Sequence, residues 1–114
     1  GIPIFVDVLQ DTLCIDPLDL VKKITNKSKI ILPVHFGGYP SDMKSLKKIS
    51  KDNSLIIVED AAHACGTKYN GKKIGSLSDF TCFSFHPVKN LSMPKGGAIT
   101  INSKNSKFRS KKFL

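Results

Sequence analysis

Two stretches of the sequence carry residues whose types and spacing could do chemistry together. In the first, an apolar run ends in Glu59 and Asp60, and the small residues that follow leave room for a flat ligand. In the second, Lys89 follows Ser84 by five residues, after an aromatic run and a proline. A lysine in an apolar pocket has a lowered pKa and can act as an amine nucleophile or base. Each residue also has an ordinary explanation, because strand-end aspartates cap loops and most lysines face water.

A series of apolar runs must position these residues. Strands are predicted at 2–8, at 29–34 with burial on both faces, at 54–60, at 80–85 and at 97–101, and a hairpin turn at Asn70-Gly71. Because strands alternate with helices, the fold class is α/β, with a mostly parallel sheet and helices on both faces. Ligands of such sheets bind at the carboxyl ends of the strands, where His35, Asp60 and the segment 84–89 fall.

Two helices are predicted between the strands. The first begins at the N-cap Asp16, with Pro17 at its first position, and three apolar residues follow at helical spacing: Leu18, Val21 and Ile24. The second begins at the N-cap Ser41. Its inner stripe consists of Met43, Leu46 and Ile49, and its lysines face water.

Composition restricts the class of protein. The 114 residues, 40% hydrophobic, allow one domain at most, and no run is long enough to span a membrane. No secretory signal opens the chain, and a sequence that starts inside a strand suggests a fragment. The net charge is +9, but Arg109 is the only arginine and no RNA-binding motif is present. A lysine-rich solvated surface is therefore favoured over nucleic-acid binding.

Three cysteines, Cys14, Cys65 and Cys82, are an odd number without paired spacing. This pattern favours a reducing compartment and a cytoplasmic protein. A metal site that joins Cys65 and Cys82 to His63 or His86 lacks the Cys-x-x-Cys spacing of such sites. Buried structural thiols are the preferred interpretation.

Taken together and in order, the motifs resemble the large domain of the DegT/DnrJ/EryC1/StrS family of pyridoxal-phosphate (PLP) aminotransferases that act on keto sugars. The resemblance covers residues 2–102. The segments that carry it are 33–35 with Gly38, 59–64, 71–75 with Asp79, 83–85 with Lys89-Asn90, and 96–98. It implies a fold-type I transferase, with residues 1–102 as part of the PLP-binding domain and residues 103–114 as a Lys-rich tail.

The resemblance also implies roles for four residues. Lys89 matches the family's Schiff-base lysine, which also moves a proton, and Asp60 matches the acid at the pyridine nitrogen of the cofactor. His63 matches a position beside the cofactor ring, and Ser84 matches a hydroxyl that binds the cofactor phosphate. Relatives with His in place of the lysine perform dehydration, so Lys89 favours the aminotransferase branch. His86 and His35 are expected to support the loops rather than to react.

Finally, the resemblance implies the substrates and the assembly of the enzyme, and it shows which parts of the family's fold this sequence lacks. The expected substrates are a nucleotide-linked keto sugar and an amino-acid donor, with glutamate as the expected donor. The expected assembly is a homodimer of a full-length enzyme, without nucleic acid or membrane. Family members are roughly three times longer and contain a phosphate-binding helix turn and a small C-terminal domain that this sequence lacks. An inactive, truncated remnant of such an enzyme is the alternative interpretation.

Overall fold

The structure is a computed structural model that describes residues 1–102. The predicted Lys-rich tail at 103–114 lies outside the described residues. The elements, in chain order, are α1 (Pro17–Lys23), β1 (Ile30–Ile31), a 3₁₀ turn (Phe36–Gly38), α2 (Met43–Asp52), β2 (Ile56–Asp60), β3 (Lys68–Tyr69), β4 (Lys72–Lys73), β5 (Phe80–Ser84) and β6 (Gly97–Ile101).

A four-stranded sheet in the order β1-β2-β5-β6 forms the centre of the molecule. Strands β1, β2 and β5 are parallel, whereas β6 is antiparallel to β5. The short strands β3 and β4 form the predicted hairpin, in which Asn70 and Gly71 both have a positive φ. The α/β class with a mostly parallel sheet is therefore confirmed.

One face of the sheet is covered by a compact apolar core. Ile31 of β1 and Ile57 of β2 point into this core and are almost fully buried. Helix α2 packs on them through the three residues of its predicted inner stripe, Met43, Leu46 and Ile49, and α1 contributes Leu20. Since side chains alternate along a strand, the neighbours of these strand residues must point to the other face.

That other face, called the open face below, is largely uncovered within residues 1–102. Five apolar side chains on it are more than one-third exposed: Ile30, Leu32, Val34, Ile56 and Ile99. Within residues 1–102, both helices contribute side chains to the core on the opposite face. The prediction of a strand buried on both faces at 29–34 is therefore wrong. The run alternates between exposed and buried residues, with Ile30 57% and Ile31 2% exposed.

Three local predictions also need correction. Residues 2–8 do not form a buried strand, since Ile2 and Phe5 are 90% and 85% exposed and the strand pairing of this segment within residues 1–102 is limited to an isolated bridge from Val8 to Ile15. Apolar residues favour a strand only when a neighbouring strand and a core can receive them. Lys23 Nζ instead holds this segment by donating to the carbonyl of Phe5 at 2.9 Å.

The helix starts are the other corrected positions. Asp16 caps α1 as predicted, but Leu18 and Val21 are exposed and Leu20 is the buried residue. Helix α2 is capped by Asp42, whose carboxylate accepts from the Ser45 N–H, and not by Ser41. The Ser41 hydroxyl is engaged elsewhere, because it donates to the Val34 carbonyl at 3.1 Å.

Two further expectations concern membranes and cysteines. Within residues 1–102, no helix has the length and apolar character needed to cross a bilayer. All three cysteines are free thiols. Cys14 is buried, whereas Cys65 and Cys82, which were predicted to be buried thiols, are only partly buried.

Candidate active site

The carboxyl ends of β1, β2 and β5 meet at one edge of the sheet. Asp60, the last residue of β2, pairs with Cys82 of β5, and Val34 forms a bridge to Asp60 on the other side. The predicted convergence of these strand ends is therefore present. Because paired residues share a face, Asp60, Cys82 and Ser84 all belong to the open face.

Backbone hydrogen bonds from both neighbouring segments hold Asp60 in place. Its N–H donates to the Pro33 carbonyl at 2.9 Å, and its carbonyl accepts from the His35 N–H at 3.0 Å. The Asp60 Oδ1 atom accepts from the Ala62 N–H at 2.9 Å. No described residue donates to Oδ2. One carboxylate oxygen is thus left for a ligand at the end of the strand.

The loop after β5 carries Lys89 to the same edge of the sheet. Ser84 ends β5, and its hydroxyl accepts from the His86 N–H at 3.4 Å. A tight turn then forms, in which the Lys89 N–H donates to the His86 carbonyl at 2.8 Å. Lys89 is half-buried, and among residues 1–102 its ammonium group has neither an ion-pair nor a hydrogen-bond partner.

The side chain of Asn90 connects the loop of Lys89 to the turn that follows Asp60. Its Nδ2 donates to the Cys65 carbonyl at 2.7 Å. This bond joins residues 25 positions apart. The sequence indicates Asn90 only as part of a motif, because no local pattern shows that its amide reaches across to another loop.

His63 lies on the turn that follows Asp60, and its ring is exposed. The ring of Phe36 meets it edge-on, with ring centroids 6.2 Å apart. Gly38 also packs here with a positive φ, and a Cβ at this position would lie 3.0 Å from the His63 carbonyl. The 3₁₀ turn after β1 therefore closes tightly against the segment that carries His63.

A buried polar cluster lies behind Asp60, on the covered face. Glu59 is fully buried, and its Oε2 is 2.6 Å from His35 Nε2, which is also fully buried. Its Oε1 accepts from Thr81 Oγ1 at 3.1 Å and from the Ser78 hydroxyl. The Ser41 N–H donates to His35 Nδ1 at 3.1 Å. No local sequence pattern predicts a role for Glu59, because burial of this side chain depends on α2 and the strand pairing.

The hydrogen bonds of this cluster determine its charges. Because Nδ1 of His35 accepts a hydrogen bond, the ring carries its proton on Nε2 and donates to Glu59 as a neutral imidazole. Burial by itself raises the pKa of Glu59, but the hydrogen bonds from His35, Ser78 and Thr81 outweigh burial and hold this pKa below its ordinary value. Glu59 is therefore a buried carboxylate that neutral donors stabilise.

The residues at the sheet edge fit the demands of a PLP site. A pyridinium nitrogen requires an acceptor, and Asp60 Oδ2 has no donor among the described residues. A carbonyl-bearing cofactor requires an amine, and the Lys89 amine has no partner among them either. By contrast, no group of three or more His, Cys, Asp or Glu residues within 1–102 is arranged to hold a metal ion.

Comparison with known proteins places the chain in a family. The family model described as the DegT/DnrJ/EryC1/StrS aminotransferase family matches residues 1–113. The chain belongs to this family, as the motifs indicated. The spore coat polysaccharide biosynthesis protein SpsC of Bacillus subtilis (strain 168) is 43% identical over 98 residues, which are 86% of this chain and 25% of SpsC.

Solved structures have the same fold. The protein Spr1654 from Streptococcus pneumoniae, in its PLP-form, is 35% identical with a TM-score of 0.85, over 92% of this chain and 31% of that chain. DesI, solved in the presence of its TDP-sugar product, is 34% identical with a TM-score of 0.83. The match covers 89% of this chain and 26% of DesI. The chain spans about a quarter of the length of the curated relatives it matches.

Proposed function

We propose that residues 1–102 are part of the PLP-binding large domain of an aminotransferase that acts on a nucleotide-linked keto sugar, with glutamate as amino donor. The observation that carries this proposal is the arrangement of the sheet edge. Asp60 and Ser84 end two adjacent parallel strands and Lys89 follows the second, and among the described residues one Asp60 carboxylate oxygen and the Lys89 amine have no partner. Membership in the family and the PLP-form of Spr1654 support the same cofactor.

Four residues have defined tasks in this proposal. PLP, when bound, supplies an electron sink for the bonds around the amino group. Asp60 accepts the N–H of the pyridine nitrogen through Oδ2 and holds the proton there. His63 lies beside the cofactor ring, and Ser84 donates to a phosphate oxygen. Lys89 holds the cofactor through its Nζ and, when displaced, moves a proton to and from the substrate carbon.

The substrate class rests on the relatives. DesI was solved with a TDP-sugar product, and SpsC is named for polysaccharide biosynthesis. A nucleotide-linked keto sugar fits both names. The proposal includes a homodimer formed by the full-length protein, a cytoplasmic location, and residues 103–114 as a Lys-rich tail.

Chemical labelling tests the assignment of Lys89. The full-length protein is loaded with PLP and reduced with borohydride, and the labelled peptide is mapped. We expect the label on Lys89. Lys89→Ala abolishes it, and Lys89→Arg does so too, because a guanidinium stays protonated and is not a nucleophile. Lys95→Ala, a change to an exposed lysine of the same loop, is the matched control and retains the label.

Two outcomes would contradict the proposal. One is a label on another lysine. The other is no label in a full-length protein that has PLP bound. If the label lies on Lys89 but the protein transfers no amino group to any nucleotide-linked keto sugar, the cofactor assignment stands and the substrate assignment fails.

A further inference from the structure

The buried cluster of His35, Glu59, Ser78 and Thr81 has no task in the function proposed above. An ionised carboxylate in a protein core is not an efficient source of stability. Well-packed apolar side chains often stabilise as well or better, because both charges and polar groups lose their hydration when buried. Glu59 nevertheless lies in the core as a carboxylate with three donors. The position of this cluster within the fold suggests what it contributes.

Glu59 and Asp60 are consecutive residues of β2, so their side chains point to opposite faces of the sheet. Glu59 is fixed on the covered face by donors from three segments: the loop after β1, the turn before β5, and β5 itself. Asp60 lies on the open face. A displacement of the Glu59 side chain would rotate the peptide that joins it to Asp60, and would therefore move the Asp60 carboxylate.

His35 contacts both residues. Its ring donates to Glu59 Oε2 at 2.6 Å, and its backbone N–H donates to the Asp60 carbonyl at 3.0 Å. The Ser41 N–H fixes the orientation of the ring through Nδ1. The end of β2 is thus held from behind by one residue that binds the side chain of Glu59 and the backbone of Asp60.

We propose that His35 and Glu59 are positioning residues that hold the Asp60 carboxylate at the place where it meets the pyridine nitrogen of PLP. This inference rests on the proposed function. The pair acts through Asp60 and touches neither cofactor nor substrate. Removing it changes how the protein binds the cofactor as well as how stably it folds.

The experiment uses the full-length protein and a graded set of variants. Glu59→Gln removes the charge, Thr81→Val removes one donor at nearly constant volume, and His35→Phe removes the ring donor. His35→Gln restores an N–H donor in place of Nε2 and serves as the conservative rescue. The matched control is Ser50→Ala, which removes a 2.6 Å hydrogen bond to the Leu55 carbonyl at the opposite end of β2.

Three quantities are measured for each variant: the thermal midpoint of the apo-protein, the Kd for PLP, and the pH midpoint of the absorption change of the bound cofactor. We expect Glu59→Gln and His35→Phe to raise the Kd for PLP by about tenfold or more and to shift the pH midpoint. His35→Gln brings both values back toward the wild type. Ser50→Ala lowers the thermal midpoint without moving the pH midpoint.

The result that overturns the proposal is a purely structural effect. If Glu59→Gln and His35→Phe lower the thermal midpoint but leave the Kd and the pH midpoint where Ser50→Ala leaves them, the pair only stabilises the fold. If Glu59→Gln does not fold, the Kd and the pH midpoint of Thr81→Val are compared with those of Ser50→Ala in its place, and equal values again overturn the proposal. Failure of the proposed function is distinguishable, because the wild-type protein then carries no borohydride-reduced label on Lys89.

Discussion

The two faces of the central sheet differ in how fully their polar groups are hydrogen-bonded and their apolar side chains are buried. On the covered face, no buried side-chain nitrogen or oxygen within residues 1–102 lacks a hydrogen-bond partner, and the apolar side chains pack on α2. On the open face, one Asp60 carboxylate oxygen has no partner among the described residues, and apolar residues face solvent. The covered face therefore supplies stability, and the open face supplies the groups that are available for binding.

The largest expected effect tests the open face directly. In the full-length protein, Asp60→Asn should lower the rate of amino-group transfer about a hundredfold or more, because an amide cannot hold the pyridine nitrogen protonated. The corresponding loss is about 3–5 kcal/mol for a charge pair in a dry site. PLP is retained more readily than activity. Single-turnover rates and PLP titration measure the two effects.

The control for this variant is Asp52→Asn, at an exposed carboxylate that pairs with Lys48 on α2. It should leave both quantities unchanged. An Asp60→Asn protein with the wild-type rate would remove Asp60 from the proposed site.

Substitutions of two neighbouring isoleucines, one on each face, measure how much each face contributes to the free energy of unfolding. Ile31→Ala should lower the free energy of unfolding of the 114-residue chain by about 2–5 kcal/mol, because it leaves a cavity in the core. Ile30→Ala, one residue away on the open face, should cost less than about 1 kcal/mol. Urea denaturation measures both values.

In the full-length protein, the same two variants test whether the open face is covered by residues outside this chain. If Ile30→Ala costs as much there as Ile31→Ala does, the rest of that protein covers the open face. If the two variants lower the free energy of unfolding equally in the 114-residue chain, the proposed difference in burial between the two faces is wrong.

The covered face should also be sensitive to acid. Glu59 has a pKa lowered by its hydrogen bonds, so its contribution to stability is present above its unfolded pKa and is lost as the pH falls through its folded pKa. We expect the free energy of unfolding to decrease below about pH 4.3, the ordinary pKa of glutamate.

Urea denaturation of the wild type and two variants at a series of pH values measures this effect. Glu59→Gln should be less stable at neutral pH but should lose less on acidification. Thr81→Val removes one donor and should give an intermediate slope. Equal slopes for all three proteins would show that Glu59 does not contribute to the acid sensitivity.

The smallest expected effect concerns cofactor affinity at the open face. Ser84→Ala should weaken PLP binding by about 1–3 kcal/mol, the value of one hydrogen bond to a charged group. Ser76→Ala, which removes a hydroxyl bonded to the Lys73 carbonyl away from the strand ends, is the control and should not change the affinity. Fluorescence titration with PLP measures both. Equal affinities for the two variants would exclude Ser84 from the phosphate site.

The sequence by itself determined much of the local structure and the family. The Asp16-Pro17 helix start, the inner stripe of α2, the Asn70-Gly71 hairpin and strand β6 were predictable because caps, turns and helical periodicity depend on nearby residues. The motifs around Asp60 and Lys89 were sufficient to predict the DegT/DnrJ/EryC1/StrS family, which the match over residues 1–113 confirms.

Only the tertiary structure decided which face of each element is buried. Segment 2–8 and Ile30 have the composition of core strands, yet Ile30 and all of 2–8 except the partly buried Val6 are exposed, because burial requires a packing partner that no local pattern specifies. The hydrogen bonds of Glu59 with His35, and of Asn90 with Cys65, join residues 24 and 25 positions apart. Such contacts depend on the pairing of β1, β2 and β5, because strand pairing brings these distant segments together.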